Sequence, residues 1–255
     1  MKPKKNIGKF IVIDGVDGSG KSTQRELLVK TLRLEGYECE IVDFPQYGQK
    51  SAGAVEEYLS GKYGMLNPYI ASIFYAVDRF DASFKIRAWL DAGKIVISDR
   101  YVTANAGHQG GKIDGKGERI KFFKWLSDFE YTVLGIPKPD LNIILHMPFN
   151  ISYKLLSGRK DKKLKFLGKQ TKDIHEKSKD HLRRAEKTFV EIAGLFPNTR
   201  MVECTEDAKL LEPNQIHNKV WNLVRRSVLS TKHTAGIFSK VQNRLSSGVK
   251  IKVSK

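Results

Sequence analysis

The sequence predicts an α/β fold in which a parallel sheet is covered by helices on both faces. Short apolar runs rich in β-branched residues alternate along the chain with amphipathic segments of helical length, a pattern typical of successive strand–helix–strand units. The 255 residues are 40% hydrophobic and 29% charged, as in ordinary globular proteins. Because α/β units of about 200–250 residues often form one core, we expect a single main domain.

The elements are predicted from hydrophobic periodicity and from the glycines and prolines that end them. Strands are expected at residues 10–14, 39–44, 95–98 and 141–145, with a weaker fifth at 199–203. Helices are expected at residues 22–34, 69–90, about 118–134 and 214–228. A glycine-rich loop is expected at residues 107–117.

The domain organisation follows from where this alternation stops. Residues 1–229 are predicted to form the main domain, within which the charged segment 157–172 interrupts the pattern. That segment is either a solvated loop or a basic lid over an anionic substrate. Residues 230–255 are rich in Ser, Lys and Gly and have few apolar residues, so we expect a basic, partly disordered tail.

The distribution of charge limits the nucleic-acid interpretation. The net charge is +17, but residues 1–9, 157–187 and 225–255 carry +4, +7 and +8, so the rest of the chain is nearly neutral. No specific nucleic acid is therefore expected as a partner, although the basic tail could bind polyanions weakly.

The sequence also bears on location. No run of about 18 apolar residues is present, which argues against a membrane span or a secretory leader. Cys39 and Cys204 lie in segments that resemble buried strands, and reduced thiols are expected there. We therefore expect a cytoplasmic protein.

A phosphate-binding motif occurs between the first strand and the first helix. Residues 15–22 match G-x-x-x-x-G-K-[ST]. In this context the glycines let backbone N–H groups surround phosphate oxygens, Lys21 supplies a positive charge, and the Ser22 hydroxyl can bind Mg²⁺. We expect ATP-type binding by Gly15, Val16, Asp17, Gly18, Ser19, Gly20, Lys21, Ser22 and Thr23.

The end of the third strand supplies a second set of charges. Asp99 is placed to contact Mg²⁺ directly or through water, and Arg100 to bind a phosphate. A GTPase is disfavoured, because residues 218–221 lack the aspartate of the base-reading N-K-x-D motif.

Several further segments together resemble the thymidylate kinase family over residues 8 to about 228. They are the glycine loop at 15–23, FPQYG at 44–48, YAVDR at 75–79, DRY at 99–101 with Asn105, His108 and Gln109 after it, PDL at 139–141, and DIHE at 173–176. The resemblance implies transfer of the γ-phosphoryl group of Mg-ATP to dTMP. It also implies a three-layer P-loop kinase fold with a central five-stranded parallel sheet, and a homodimer, for which the helix at 69–90 could serve.

The resemblance also implies an acceptor site. Tyr75 and Arg79 are four residues apart and therefore share one helix face. By resemblance, the ring of Tyr75 stacks on thymine, and Arg79 reaches thymine O4. Asn105 matches the position that binds thymine N3, and His108 stands near the sugar, where many members have Tyr. Arg100 matches the arginine that binds the acceptor phosphate. Asp17 matches the acid that contacts either the acceptor sugar or the Mg²⁺ shell. Phe44, Pro45, Tyr47 and Gln109 complete the set, whereas Gln46 replaces an arginine that many relatives carry.

The mobile cation of this family lies either in the glycine loop or in the lid. Gly18 and Ser19 stand where an arginine would otherwise appear, so the lid type is implied. Arg159 is the expected catalytic cation, with Lys21, Arg100 and Asp17 as the other catalytic residues. The remaining lid residues are Lys172, Asp173 and Glu176, of which the two acids are expected to orient the closed lid.

Two alternatives stay open. One is a kinase for deoxynucleosides or for another pyrimidine monophosphate; deoxynucleoside kinases need a carboxylate to deprotonate the 5′-hydroxyl, and Asp43 should point away from Phe44. The other is a nucleic-acid-binding P-loop NTPase. Preference for dTMP over dUMP also stays open, because one methyl group is worth only about 1–3 kcal/mol.

Overall fold

The computed structural model describes residues 8–157 and 179–229. Its centre is a five-stranded parallel sheet with the order β2-β3-β1-β4-β5, which confirms the predicted fold class. The strands are β1 Lys9–Asp14, β2 Cys39–Asp43, β3 Ile95–Asp99, β4 Leu141–His146 and β5 Thr199–Glu203.

The sheet register brings the ends of the strands together. β1 is central and pairs Ile13 with Asp99 of β3 and Asp14 with Ile144 of β4. Because all five strands are parallel, the segments that follow β1, β2, β3 and β4 leave the sheet at the same edge. Ligands of open α/β sheets bind in the crevice outside this edge.

Eight α-helices occur among the described residues. They are α1 Lys21–Leu34, α2 Gly53–Leu59, α3 Pro68–Asp91, α4 Val102–Gly110, α5 Lys116–Asp128, α6 Phe149–Ser157, α7 Lys179–Ala193 and α8 Pro213–Val224. Single π-helical turns extend α5 to Val133 and α8 to Leu229, and a short 3₁₀ turn at Lys50–Ala52 precedes α2. A two-stranded antiparallel hairpin, Thr205–Glu206 with Lys209–Leu210, follows β5.

One sequence prediction was wrong in its type of element. The expected glycine-rich loop at 107–117 begins inside α4, which continues to Gly110. Its glycines allow close packing: a Cβ at Gly107 would lie 2.4 Å from the ring of Phe189, and one at Gly110 would lie 2.7 Å from that of Phe123. The glycines therefore bring α4 against α7 and α5.

The helices on both faces of the sheet enclose one large apolar core, and a smaller cluster of Val55, Tyr58, Leu59 and Ala71 lies where α2 meets α3. Cys39 and Cys204 are buried free thiols, and burial raises their pKa values to about 11 and about 12. Within residues 8–157 and 179–229, no helix combines the length and apolarity needed to cross a membrane. Residues 158–172 of the predicted lid and the tail at 230–255 lie outside the described residues.

Candidate active site

The glycine loop lies between the end of β1 at Asp14 and the start of α1 at Lys21. Gly15, Gly18 and Gly20 have φ angles of 137°, 83° and 89°, which residues with a Cβ rarely adopt. No side chain caps the first turn of α1. The free N–H groups of this turn, together with the positive end of the helix dipole, favour a bound anion.

Lys21 crosses this loop. Its Nζ donates to the carbonyl oxygens of Gly15 and Val16, at 3.0 and 2.9 Å. Burial, and then the positive charge of Arg100, lowers the pKa of Lys21 to about 8. Ser19 Oγ is buried and has no hydrogen-bond partner among the described residues. The loop therefore presents a buried ammonium and an unpaired hydroxyl beside the helix N-terminus.

Oxygen ligands suited to Mg²⁺ meet at the same place. Ser22 Oγ donates to Asp99 Oδ2 at 3.3 Å, so the hydroxyl and the carboxylate predicted for the metal are adjacent. Hydroxyl and carboxylate oxygens are the hard ligands that Mg²⁺ prefers, and this ion usually keeps several waters. In the part of the chain that is described, no three His, Cys, Asp or Glu side chains cluster as a metal cage. The residues present fit a magnesium ion held mainly by water and phosphate.

Asp14 was not among the predicted site residues, but its side chain forms hydrogen bonds that hold the glycine loop in place. Its Oδ1 accepts the N–H of Gly15 at 2.9 Å, and its Oδ2 accepts the Thr103 hydroxyl at 2.8 Å. Burial raises the pKa of Asp14 against the opposing charges of Arg100 and Lys21. The carboxylate thus links the glycine loop to α4.

Arg100 follows β3 and points across to the loop. Its φ of 69° lies in the left-handed region, which costs an arginine energy, and its N–H donates to Ile13 O at 3.0 Å. Nη2 donates to Asp17 Oδ1, and Nη1 lies 3.0 Å from His108 Nε2. Burial by itself would lower the pKa of Arg100. The negative charges of Asp17 and Asp99 have the larger combined effect and raise this pKa.

A cleft with mixed polar and aromatic lining opens beside Arg100. All nine residues predicted for the acceptor site line it, together with three others. The lining residues are Asp17, Phe44, Pro45, Tyr47, Leu59, Tyr75, Arg79, Arg100, Ala104, Asn105, His108 and Gln109.

The far end of the cleft presents ordered donors and acceptors. Arg79 Nε and Nη2 each donate to Glu130 at 2.6 Å, and Nη1 lies 3.4 Å from the carbonyl oxygen of Tyr101. Asn105 Nδ2 donates to Ser72 O at 3.2 Å. Gln109 Oε1 is buried without a hydrogen-bond partner among the described residues. The contacts of Arg79 and Asn105 fix the orientation of these two side chains before a ligand enters.

Gln46 differs from its neighbours because it is not among the residues that line the cleft. Its backbone N–H donates to Asp78 Oδ2 at 2.8 Å and its Nε2 to Asp78 Oδ1 at 3.1 Å. Ser51 Oγ donates to the same carboxylate at 2.7 Å, and Lys85 Nζ donates to Gln46 Oε1 at 2.5 Å. Buried Asp78 therefore holds the loop that carries Phe44 and Tyr47.

Sequence reasoning missed several of these residues. Asp78 immediately precedes Arg79, so its place in the YAVDR segment was an available signal. Glu130 lies within a predicted helix and carries no local signal of its contact with Arg79, 51 residues away. Asp43, considered as a base, is exposed and pairs with Arg25. The predicted lid residues Arg159, Lys172, Asp173 and Glu176 lie outside the described residues.

The chain is similar to known proteins over most of its length. A family model described as thymidylate kinase matches residues 13–219. A probable thymidylate kinase of Thermococcus gammatolerans is 28% identical over 234 residues, 88% of this chain and 99% of the relative. A thymidylate kinase of Mycobacterium tuberculosis is 30% identical over 72% of this chain and 86% of its own. The fold resembles that of thymidylate kinase from Candida albicans, with a TM-score of 0.66, 24% identity, and coverage of 86% of this chain and 92% of that one.

Proposed function

Since this chain belongs to the thymidylate kinase family, we propose that the cleft beside Arg100 binds dTMP and that the glycine loop binds ATP. The enzyme transfers the γ-phosphoryl group of ATP to dTMP and releases ADP and dTDP. All nine residues predicted for the acceptor site line one cleft next to the phosphate-binding loop. This observation supports the assignment best.

The donor side holds ATP through its phosphates. The N–H groups of the first turn of α1, and those of the glycine loop other than Gly15 and Ser19, are available to surround phosphate oxygens. Lys21 would neutralise charge on those oxygens. Ser22 and Asp99 would hold Mg²⁺, directly or through water. Mg²⁺ held there would supply positive charge that offsets the negative charge of the phosphate oxygens.

The base end of the cleft suits a pyrimidine with a keto group at C4. Arg79 can only donate hydrogen bonds, and Nη1 is the nitrogen that Glu130 does not engage. Because Asn105 donates a hydrogen bond through Nδ2 to Ser72 O, its Oδ1 can accept a hydrogen bond from the base. Thymine offers the acceptor O4 and the donor N3–H, whereas cytosine presents the reverse pattern. This pair therefore selects thymine or uracil, with Tyr75 stacking on the ring.

The phosphate end of the cleft suits an acceptor that is already anionic. Arg100 supplies the positive charge, and Tyr47 and Phe44 line the same region. A monophosphate oxygen attacks without losing a proton, so no general base is required. The carboxylate that a deoxynucleoside kinase would need is not provided by Asp43, because that residue is exposed and paired with Arg25.

The transition state needs positive charge on the transferred phosphoryl group. Lys21 and Arg100 approach it from the donor and acceptor sides, and Arg159 of the predicted lid is proposed as the third cation. Lys172, Asp173 and Glu176 are proposed to orient the lid. Closure would exclude water that otherwise hydrolyses ATP.

An apolar stripe on α3 supports the proposed homodimer. Ile70, Ile73, Val77, Phe80 and Phe84 are exposed at alternating spacings of three and four residues, and the rings of Phe80 and Phe84 contact each other. This spacing is that of a helix seam which pairs with another helix. A second copy of α3 would bury the stripe.

The cysteines support a cytoplasmic location, which we also propose. Cys39 and Cys204 are both free and buried. Free, buried thiols are typical of proteins kept in a reducing compartment.

The function is tested by incubating purified protein with ATP, Mg²⁺ and one acceptor from the series dTMP, dUMP, UMP, dCMP, dGMP and thymidine. We expect diphosphate formation with dTMP and little with dCMP. Turnover of thymidine instead of dTMP would show that the acceptor assignment is wrong. Nucleic-acid binding without turnover of any acceptor would favour an NTPase instead.

A further inference from the structure

His108 is held by three side chains where the acceptor cleft meets α7. Its Nε2 lies 3.0 Å from Nη1 of Arg100, and its Nδ1 lies 3.4 Å from Nε2 of His181. The two imidazole rings are nearly parallel, with centroids 5.6 Å apart and planes 15° apart, and they meet edge to edge through these nitrogens. The ring of Phe189 meets His108 edge-on, with centroids 5.4 Å apart.

These contacts determine where the protons of the two rings lie. Arginine has no acceptor atom, so His108 Nε2 must accept the hydrogen bond from Arg100 and carries no proton. A neutral His108 then has its single proton on Nδ1, which faces His181. Burial lowers the pKa of His108 well below its usual value and that of His181 to about 4, so both rings are neutral at pH 7. His181 Nε2 is therefore the acceptor of the His108 proton.

Given the proposed function, on which this rests, we propose that His181 is a positioning residue of the acceptor site. By accepting the Nδ1 proton of His108, it keeps Nε2 of that ring as an acceptor for Arg100. Arg100 is thereby held between two partners, the carboxylate of Asp17 and the ring of His108. This places its guanidinium for the phosphate of dTMP before the nucleotide binds.

Loss of the acceptor atom of His181 would affect the site by changing the orientation of the Arg100 guanidinium. Without a partner for Nδ1–H, the other tautomer of His108 becomes competitive, and its Nε2–H would oppose the N–H groups of Arg100. The guanidinium would then have only Asp17 to orient it. Binding of the acceptor phosphate should weaken, whereas the contacts of Lys21 in the glycine loop do not involve His181.

The test compares His181→Phe with His181→Gln. Phenylalanine keeps a ring against His108 but has no acceptor, whereas the glutamine Oε1 can replace the imidazole nitrogen. For His181→Phe we expect KM for dTMP to rise roughly tenfold, the effect of losing one buried hydrogen bond, with KM for ATP changed by less than about twofold. For His181→Gln we expect KM for dTMP near that of the wild type.

The tautomer is measured directly in the wild-type enzyme by long-range ¹H–¹⁵N correlation spectra with ¹⁵N-labelled histidine. The signals of His108 are assigned with a His108→Gln variant. We expect a protonated Nδ1 and an unprotonated Nε2. The opposite tautomer overturns the role of His181, whether or not the variants fold.

The kinetic outcomes separate two kinds of failure. Wild-type protein that does not phosphorylate dTMP overturns the proposed function, and with it the role of His181. Active wild-type enzyme with the same KM for dTMP in the phenylalanine variant overturns only the role of His181. An equal rise in KM for dTMP in both variants also overturns it, because the acceptor atom would then be irrelevant.

Discussion

Arg79 and Glu130 form a bidentate ion pair at the floor of the acceptor cleft, with both nitrogen–oxygen distances at 2.6 Å and with side chains that are 1% and 0% exposed. Burial opposes both charges: it raises the pKa of Glu130, whereas the attraction of Glu130, with smaller contributions from Tyr101 and Asp78, keeps the pKa of Arg79 high. Glu130 therefore stabilises the buried cation that we propose to bind the base.

Replacing Glu130 should destabilise the fold as well as the site. We expect Glu130→Gln to lower the free energy of unfolding by about 3–5 kcal/mol, because it leaves Arg79 buried and uncompensated. Urea denaturation measures this. The control is Glu191→Gln, which removes a bidentate partner of Arg119 that is partly exposed, and should cost about 1 kcal/mol or less.

The double variant Arg79→Met with Glu130→Leu separates folding from recognition. Apolar side chains of similar size should restore much of the stability lost in Glu130→Gln. Turnover of dTMP should nevertheless remain low, because the donor to O4 is gone. Wild-type kinetics in this double variant would show that Arg79 does not read the base.

Removal of the Lys21 ammonium should abolish phosphoryl transfer. We expect Lys21→Ala to lower kcat by about 10²–10³-fold or more, the effect of losing one buried group that stabilises the transition state. Lys30→Ala, on the exposed side of α1, is the matched control and should leave kcat unchanged. Full activity of the Lys21 variant would contradict the site assignment.

The lowered pKa of Lys21 predicts a pH dependence. With a pKa of about 8 in the free enzyme, the ammonium is charged at pH 7 and loses its proton as the pH rises. We expect kcat/KM for ATP to fall about tenfold per pH unit above that value. Bound ATP adds negative charge that raises the pKa, so kcat should stay level further into the alkaline range. A flat kcat/KM profile between pH 7 and pH 9.5 would contradict this.

Arg159 carries a prediction that depends on sequence alone. If it is the lid cation, Arg159→Ala should lower kcat much more than it weakens binding of either substrate, because the charge is needed only in the transition state. Steady-state kinetics with dTMP and ATP distinguish the two effects. An unchanged kcat would transfer the role to one of the neighbouring lysines.

The stripe on α3 predicts the oligomeric state. We expect the wild-type protein to be a dimer by light scattering coupled to size exclusion, and Phe84→Glu to be a monomer, because a charge would enter the apolar stripe. Leu34→Glu, at another highly exposed apolar position, is the control and should remain dimeric. A monomeric wild-type protein would show that α3 is not the interface.

Hydrophobic pattern predicted the centre of the sheet well because β1, β3 and β4 are short apolar runs that are buried between neighbouring strands. β1 was expected at 10–14 and spans Lys9–Asp14; β3 was expected at 95–98 and spans Ile95–Asp99. α4 was missed because five glycines within residues 107–117 resemble a loop. Two of them allow close packing instead, since a Cβ at Gly107 or Gly110 would collide with the ring of Phe189 or Phe123.

The sequence by itself determined the chemistry of this protein: the glycine loop, the Asp-Arg pair after β3, and an aromatic residue and an arginine one helical turn apart. Those signals are local, and local spacing is what a sequence displays. Only the tertiary structure decided what holds these groups in place. Glu130 reaches Arg79, Asp78 holds Gln46, and His181 meets His108 across 51, 32 and 73 positions of the chain. Such contacts form because burying a polar group requires a partner, and the fold determines which distant residue supplies it.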